Sequence, residues 1–241
     1  MVPVSAPVTE NGHVTGLTDG AAAVVFDFFG TLTPVSPDQV WASNARRLAA
    51  ALGVPADALV TALDESFPER ITGALGNVRE TLQVLAGRLG AQPSSDQLAE
   101  ASRVRREVQE SMFELRPEAL PVIRQLRAAG LKVGLLSDCT SELPDAWARL
   151  PLAALVDAPV FSCVERMRKP DPRLFRTVAA NLRAEPSECL YVGDGGGREL
   201  TGASDAGMRA VLLAGQDWIA HRSTEVGWTG PRIASLTDLC R

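Results

Sequence analysis

Lysine is almost missing from this 241-residue chain: Lys132 and Lys169 are the only lysines among its 24 basic residues, and the rest are arginines. Histidine is equally scarce, with His13 and His221 alone, which leaves few imidazoles to shuttle protons near neutral pH. The four cysteines, Cys139, Cys163, Cys189 and Cys240, are widely spaced with no C-x-x-C pair, a pattern that fits neither a zinc site nor a dense disulfide framework. Three of them sit in or beside apolar runs and read as buried, inert thiols. No apolar run approaches the roughly 18 residues that a membrane-spanning helix needs. The opening stretch, Met1–Gly20, lacks the basic and apolar regions of a secretory signal and reads as a loose tail, so a cytoplasmic enzyme is expected. Excess positive charge is absent too. With 24 basic against 29 acidic residues the net charge is −5, which gives no global attraction for nucleic acid or an anionic membrane. Any phosphate must be held by a local site.

What the chain does have is a rhythm. Ala22–Asp27, Lys132–Ser137, Val160–Cys163, Cys189–Gly193 and Arg209–Leu213 are short runs, apolar nearly throughout instead of alternating. Such runs predict strands buried on both faces, as in a parallel sheet covered by helices. Helical stretches such as Pro172–Arg183 and Arg198–Ala206 lie between them, so the expected fold is a doubly wound α/β domain. In such sheets the site lies beyond the carboxyl ends of the strands.

One interval breaks the rhythm. From Pro34 to about Arg116 the pattern is helical only. Ser36-Pro37-Asp38-Gln39, Asn77-Val78-Arg79-Glu80 and Ser94-Ser95-Asp96-Gln97 are candidate capping boxes. Leu98, Ala101, Val104, Val108 and Met112 then recur at helical spacing and predict a packed face. The expected organisation is a tail over 1–20, an α/β core made of 21–34 and 117–241, and an inserted helical cap over 35–116.

Four segments at predicted strand ends carry polar chemistry. Phe26-Asp27-Phe28-Phe29-Gly30-Thr31-Leu32 places a carboxylate before a Gly-Thr turn whose backbone amides can meet an anion. Leu135-Leu136-Ser137-Asp138 ends a second strand on a hydroxyl. Arg168-Lys169-Pro170-Asp171-Pro172 sets a lysine just before a proline-started helix. Gly193-Asp194-Gly195-Gly196-Gly197-Arg198-Glu199 carries a second carboxylate with another acid five residues on. Singly, each is an ordinary turn or cap.

Together, in this order and spacing, they resemble the four motifs of the haloacid dehalogenase superfamily, with Gly193–Met208 an especially full match. The resemblance covers about Ala22 to Leu213; in the cap it extends only to size and helical character. It implies a hydrolase in which Asp27 attacks phosphorus and carries an aspartyl-phosphate. It implies Mg2+ held by Asp27, the backbone carbonyl of Phe29 and Asp194, with Glu199 acting through water. It assigns Ser137 and Lys169 to the phosphoryl oxygens, and Gly30 and Thr31 to the substrate-binding turn. The substrate implied is a small phosphorylated metabolite.

Phe29 departs from the pattern, because phosphatases of this family usually carry a second, proton-moving aspartate there. Neither histidine falls in a motif to replace it. Asp138 is a candidate, with a turn role as its ordinary alternative. The phosphonatase branch uses a cap lysine and this cap has none, so that reading fails. A 2-haloacid dehalogenase fits Phe29 but has no use for the acids Asp194 and Glu199, and a non-catalytic binding protein is the third alternative. Within the cap, Arg70 in Glu69-Arg70-Ile71-Thr72-Gly73 is expected to face the core and contact the leaving group.

Overall fold

Asp27 stands at a strand end because the four residues before it, β1 (Ala23–Phe26), form the centre of a parallel sheet. The computed structural model describes residues 16–35, 38–215, 225 and 227–241. Six strands, β1, β2 (Lys132–Ser137), β3 (Ala158–Phe161), β4 (Cys189–Gly193), β5 (Arg209–Leu213) and β6 (Arg232–Ile233), lie in the order β3-β2-β1-β4-β5-β6. Every pairing is parallel. The strand order reverses beside β1, which is where ligands bind in folds of this class. The doubly wound α/β fold expected from the apolar runs is the fold observed.

The side chains of β1 show why those runs do not alternate. Val24 and Phe26 enter one apolar cluster, with Ile123, Leu135, Leu190 and Val192. Ala23 and Val25 enter the other, with Phe175, Val178, Tyr191 and Leu200. Both faces are covered, so polar residues are excluded from both.

Ten α-helices are described: α1 (Asp38–Leu52), α2 (Ala56–Glu65), α3 (Phe67–Ile71), α4 (Val78–Arg88), α5 (Ser95–Ser111), α6 (Ala119–Ala128), α7 (Glu142–Ala146), α8 (Ser162–Glu165), α9 (Pro172–Leu182) and α10 (Glu199–Asp205). Gly134 lets α9 lie close on β2, since a Cβ there would sit 2.9 Å from both Leu182 and Val178. Asp171 caps α9 by accepting the Arg173 N–H at 3.0 Å, and Pro172 opens its first turn. The capping boxes of Asn77 with Glu80 and Ser94 with Gln97 both form. The one expected at Ser36-Pro37 lies outside the described residues, as do His13, His221 and residues 1–15 of the tail.

Between β1 and α6, α1, α2, α4 and α5 bury a cluster of their own, including Leu48, Leu52, Leu59, Leu82, Leu98 and Val104. Val108 is buried as expected, while Met112 is only half-buried at the end of α5. Arg105 Nε of α5 makes a buried ion pair with Glu142 Oε1 of α7 at 2.7 Å, and Ser162 Oγ donates to the Ile71 carbonyl at the end of α3 at 2.6 Å.

Two expectations need correction. The third strand is Ala158–Phe161, and Ser162–Glu165 turn into α8 instead of extending it. Pro159 argues against a strand by its missing N–H, yet β3 is the sheet edge, where one row of donors has no partner strand and proline is tolerated. The two-residue β6 was not expected at all. Among the described residues, no helix is long and apolar enough to cross a membrane.

Candidate active site

Parallel strands put their carboxyl ends on one edge of the sheet, and β1 lies between β2 and β4. Asp27, Ser137 and Asp194 therefore arrive on neighbouring strand ends from three distant parts of the sequence. The N–H of Asp27 donates to the Val192 carbonyl at 2.9 Å, so β4 itself fixes where the carboxylate starts.

Lys169, from the loop ahead of α9, enters this cluster. Its Nζ lies 2.6 Å from Asp27 Oδ1, is ion-paired to Glu199 Oε2, and donates to the Tyr191 hydroxyl at 3.2 Å. Tyr191 in turn donates to Glu199 Oε2 at 2.7 Å, and the Gly195 N–H donates to Glu199 Oε1 at 2.9 Å. The Gly196 N–H donates to Asp194 Oδ1 at 2.9 Å. The Thr31 hydroxyl is committed to Asp27 Oδ2 at 3.2 Å, so its side chain orients the carboxylate.

One ammonium serves three acids here. Asp27, Asp194 and Glu199 each offer an oxygen within 4.8 Å of the others. Burial pushes the Asp27 carboxyl well above its usual range; Lys169 pulls against this, and Glu199 and Asp194 push it further. Burial, with Glu199 beside it, pushes Asp194 up to about 7. Burial works against the Lys169 ammonium, but Asp27 and Glu199 outweigh it and hold it well above the usual lysine range. An all-oxygen set of three clustered carboxylates fits a hard divalent cation, so these residues could hold one.

The structure brings Asp27, Thr31, Lys169, Asp194 and Glu199 together. Gly30 belongs with them for a steric reason: it has φ +79°, and a Cβ there would collide with Asp194 Oδ2. Ser137 ends β2 fully buried, and its Oγ has no hydrogen-bond partner among the described residues. Phe29 is partly buried in an aromatic group, edge-on to Phe28 at 4.9 Å between ring centres. Arg70 is engaged near its own helix, donating to Ser66 Oγ at 3.2 Å and the Leu63 carbonyl at 2.7 Å. It lines a small cavity with Arg105, Thr140 and Glu142. Asp138 accepts the Lys169 backbone N–H at 3.0 Å, a structural use of its carboxylate.

Sequence reasoning missed two residues. Tyr191 reads as one more apolar strand position, and only its hydroxyl reveals otherwise. Arg116 donates from Nε to the Thr31 carbonyl at 2.9 Å and from Nη2 to the Gly30 carbonyl at 3.0 Å, which fixes the turn after Asp27. No motif marks it.

The family model of haloacid dehalogenase-like hydrolases matches residues 21–207. The chain belongs to that family and is a hydrolase. It is 31% identical over 220 residues to the phosphoserine phosphatase of Thermus thermophilus, covering 88% of this chain and 82% of that protein. It is 29% identical over 193 residues to the glyceraldehyde 3-phosphate phosphatase of Methanopyrus kandleri, covering 79% and 83%. Its fold is similar to the solved 2-haloacid dehalogenase of Pseudomonas syringae pv. tomato, with TM-score 0.70 and 25% identity over 91% of this chain and 96% of that one.

Proposed function

We propose that this chain is a magnesium-dependent phosphatase acting on a small phosphorylated metabolite, with Asp27 as the nucleophile. The observation that carries the reading is the charge count at the sheet edge. Three acids, Asp27, Asp194 and Glu199, each offer an oxygen within 4.8 Å of the others, and Lys169 is ion-paired to two of them, Asp27 and Glu199. Two relatives named as phosphatases support it.

In this reading Asp27 attacks phosphorus and takes up the phosphoryl group, which water later removes, dividing one displacement into two. Magnesium, when bound by Asp27, Asp194, the Phe29 carbonyl and Glu199 through water, neutralises charge between the two anions that must meet. Lys169 holds a phosphoryl oxygen as charge develops. Ser137 supplies a hydroxyl not committed to any described protein group. Gly30 and Thr31 present the turn to the substrate, and Thr31 keeps the nucleophile aimed. Residues 35–116 act as a cap over the 21–34 and 117–241 core, excluding water and selecting the leaving group, with Arg70 as a candidate contact. A cytoplasmic setting, with no nucleic acid or membrane partner, goes with this reading.

A second reading, a 2-haloacid dehalogenase, has in its favour Phe29 and the TM-score of 0.70 to one such enzyme. One experiment separates them: purified protein is given a panel of phosphometabolites and of 2-haloacids, with magnesium or with EDTA. Phosphate release that needs magnesium supports the proposal. Halide release that persists in EDTA replaces it.

A further inference from the structure

Two of the thiols expected to be inert lie against each other. Ser137 opposite Phe161 is the last pair of the β2–β3 ladder, and Cys139 and Cys163 each lie two residues beyond it. At that last pair the strands run about 4.8 Å apart, so both cysteines leave the sheet from adjacent points. The chain turns into α8 after Phe161, yet Ser162 keeps the two segments from parting. The Cys139 N–H donates to Ser162 Oγ at 2.9 Å, and that oxygen lies 3.3 Å from the Cys139 carbonyl. Cys163 packs against the buried apolar cluster that contains Cys139. All four cysteines are free in this structure.

We infer that Cys139 and Cys163 are a disulfide-forming pair, a modification site oxidised by a hydroperoxide and set against the loop that carries Asp138. Their environments divide the labour. Cys163 is half-buried, and Cys139 beside it holds its thiol below the usual range. Cys139 is buried, which pushes its thiol well above that range. Cys163 is therefore the first to react.

Its thiolate attacks one oxygen of hydrogen peroxide. The O–O bond breaks, hydroxide leaves and takes the thiol proton as water, and Cys163 becomes a sulfenic acid. The Cys139 sulfur then displaces hydroxide from the Cys163 sulfur, and its own proton completes the second water. Two thiols lose two electrons, and the peroxide is reduced to two waters.

The bond would be felt at the active site. Asp138, next to Cys139, holds the Lys169 backbone at 3.0 Å, and Ser137 lies two residues before Cys139. Drawing the sulfurs from contact to bonding distance shifts that loop. A displacement of about 1 Å near a reacting centre costs up to roughly 100-fold in rate. This consequence rests on the phosphatase reading; the bond itself does not.

The test is oxidation of the full chain with hydrogen peroxide, alkylation of remaining thiols and tryptic mapping. Cys139 and Cys163 fall in separate peptides, 133–149 and 150–166, because Arg149 lies between them. The expected result is loss of two of the four free thiols and one cross-link joining those peptides, reversed by dithiothreitol and absent in Cys163→Ser and Cys163→Ala. Four free thiols after peroxide, or a cross-link to Cys189 or Cys240, overturns the pair. Turnover measured on the same samples is expected to fall roughly 10- to 100-fold on oxidation and return on reduction. A mapped bond with unchanged turnover overturns the coupling to Asp138. Should no phosphate ester be turned over at all, the pair is still decided by the peptides.

Discussion

Lys169 Nζ and Asp27 Oδ1 lie 2.6 Å apart although 142 residues separate them in sequence. That contact places an ammonium among three clustered acids, two of which it pairs with directly. Removing it should be felt in folding as well as catalysis. Lys169→Met is expected to cost about 3–5 kcal/mol of stability, since it leaves buried carboxylates uncompensated. Added magnesium should recover part of that loss, and turnover should fall at least roughly 100-fold. Denaturant melts with and without magnesium check this; a variant as stable as wild type, with no magnesium effect, contradicts it.

Gly30 is the steric counterpart. Gly30→Ala adds a Cβ that collides with Asp194 Oδ2, at a residue with φ +79°. The expected cost is about 1–3 kcal/mol from backbone strain, with weaker magnesium affinity because Asp194 is pushed aside. Calorimetric titration with magnesium would show it, and an affinity equal to wild type would remove Gly30 from the site.

Phe29 leaves the leaving group without a proton donor at that position. General acid–base catalysis supplies roughly 100- to 10,000-fold, and poor leaving groups need it most. Aryl and acyl phosphates should thus be turned over much faster than alkyl phosphates. Phe29→Asp should raise the alkyl rate, while losing the ring's contact with Phe28 and with it some stability. Equal alkyl and aryl rates in wild type would mean another group moves the proton, with Asp138 the first to mutate.

Glu142 ties α7 to Arg105 of α5 at 2.7 Å. Burial pushes its carboxyl up, but Arg105, with the Thr140 hydroxyl, outweighs this and holds it below the usual range. A folded-state value below the unfolded one means the stabilisation is fully present above about pH 4.3 and is lost as pH falls through the folded value. Glu142→Gln should cost about 3–5 kcal/mol at pH 7, because Arg105 is left buried and unpaired. The gap between variant and wild type should then close in acid. Urea melts across pH 3–7 test this, and a pH-independent gap would contradict it.

Much of this architecture was legible in the residues themselves. The unbroken apolar runs of β1, β2, β4 and β5 announce a sheet covered on both faces, and their polar ends announce Asp27, Ser137 and Asp194. The capping boxes at Asn77 and Ser94 were readable because their hydrogen bonds close within four residues. What hid was non-local. Pro159 is acceptable only because β3 is an edge, a fact of strand order. The Tyr191 hydroxyl matters only because Lys169 and Glu199 come to it. Arg116 reaches back 85 residues to the Thr31 carbonyl, and no local pattern records such a contact.

The central claim is that Asp27 carries the phosphoryl group, and the direct measurement is to trap it there. The protein is mixed with an aryl or acyl phosphate and magnesium, quenched in acid during turnover, and its peptides are weighed. The account predicts a phosphoryl group on Asp27, dependent on magnesium, absent in Asp27→Asn, and long-lived because Phe29 activates no water. Steady phosphate release with Asp27 unmodified throughout, or turnover undiminished in excess EDTA, would contradict it.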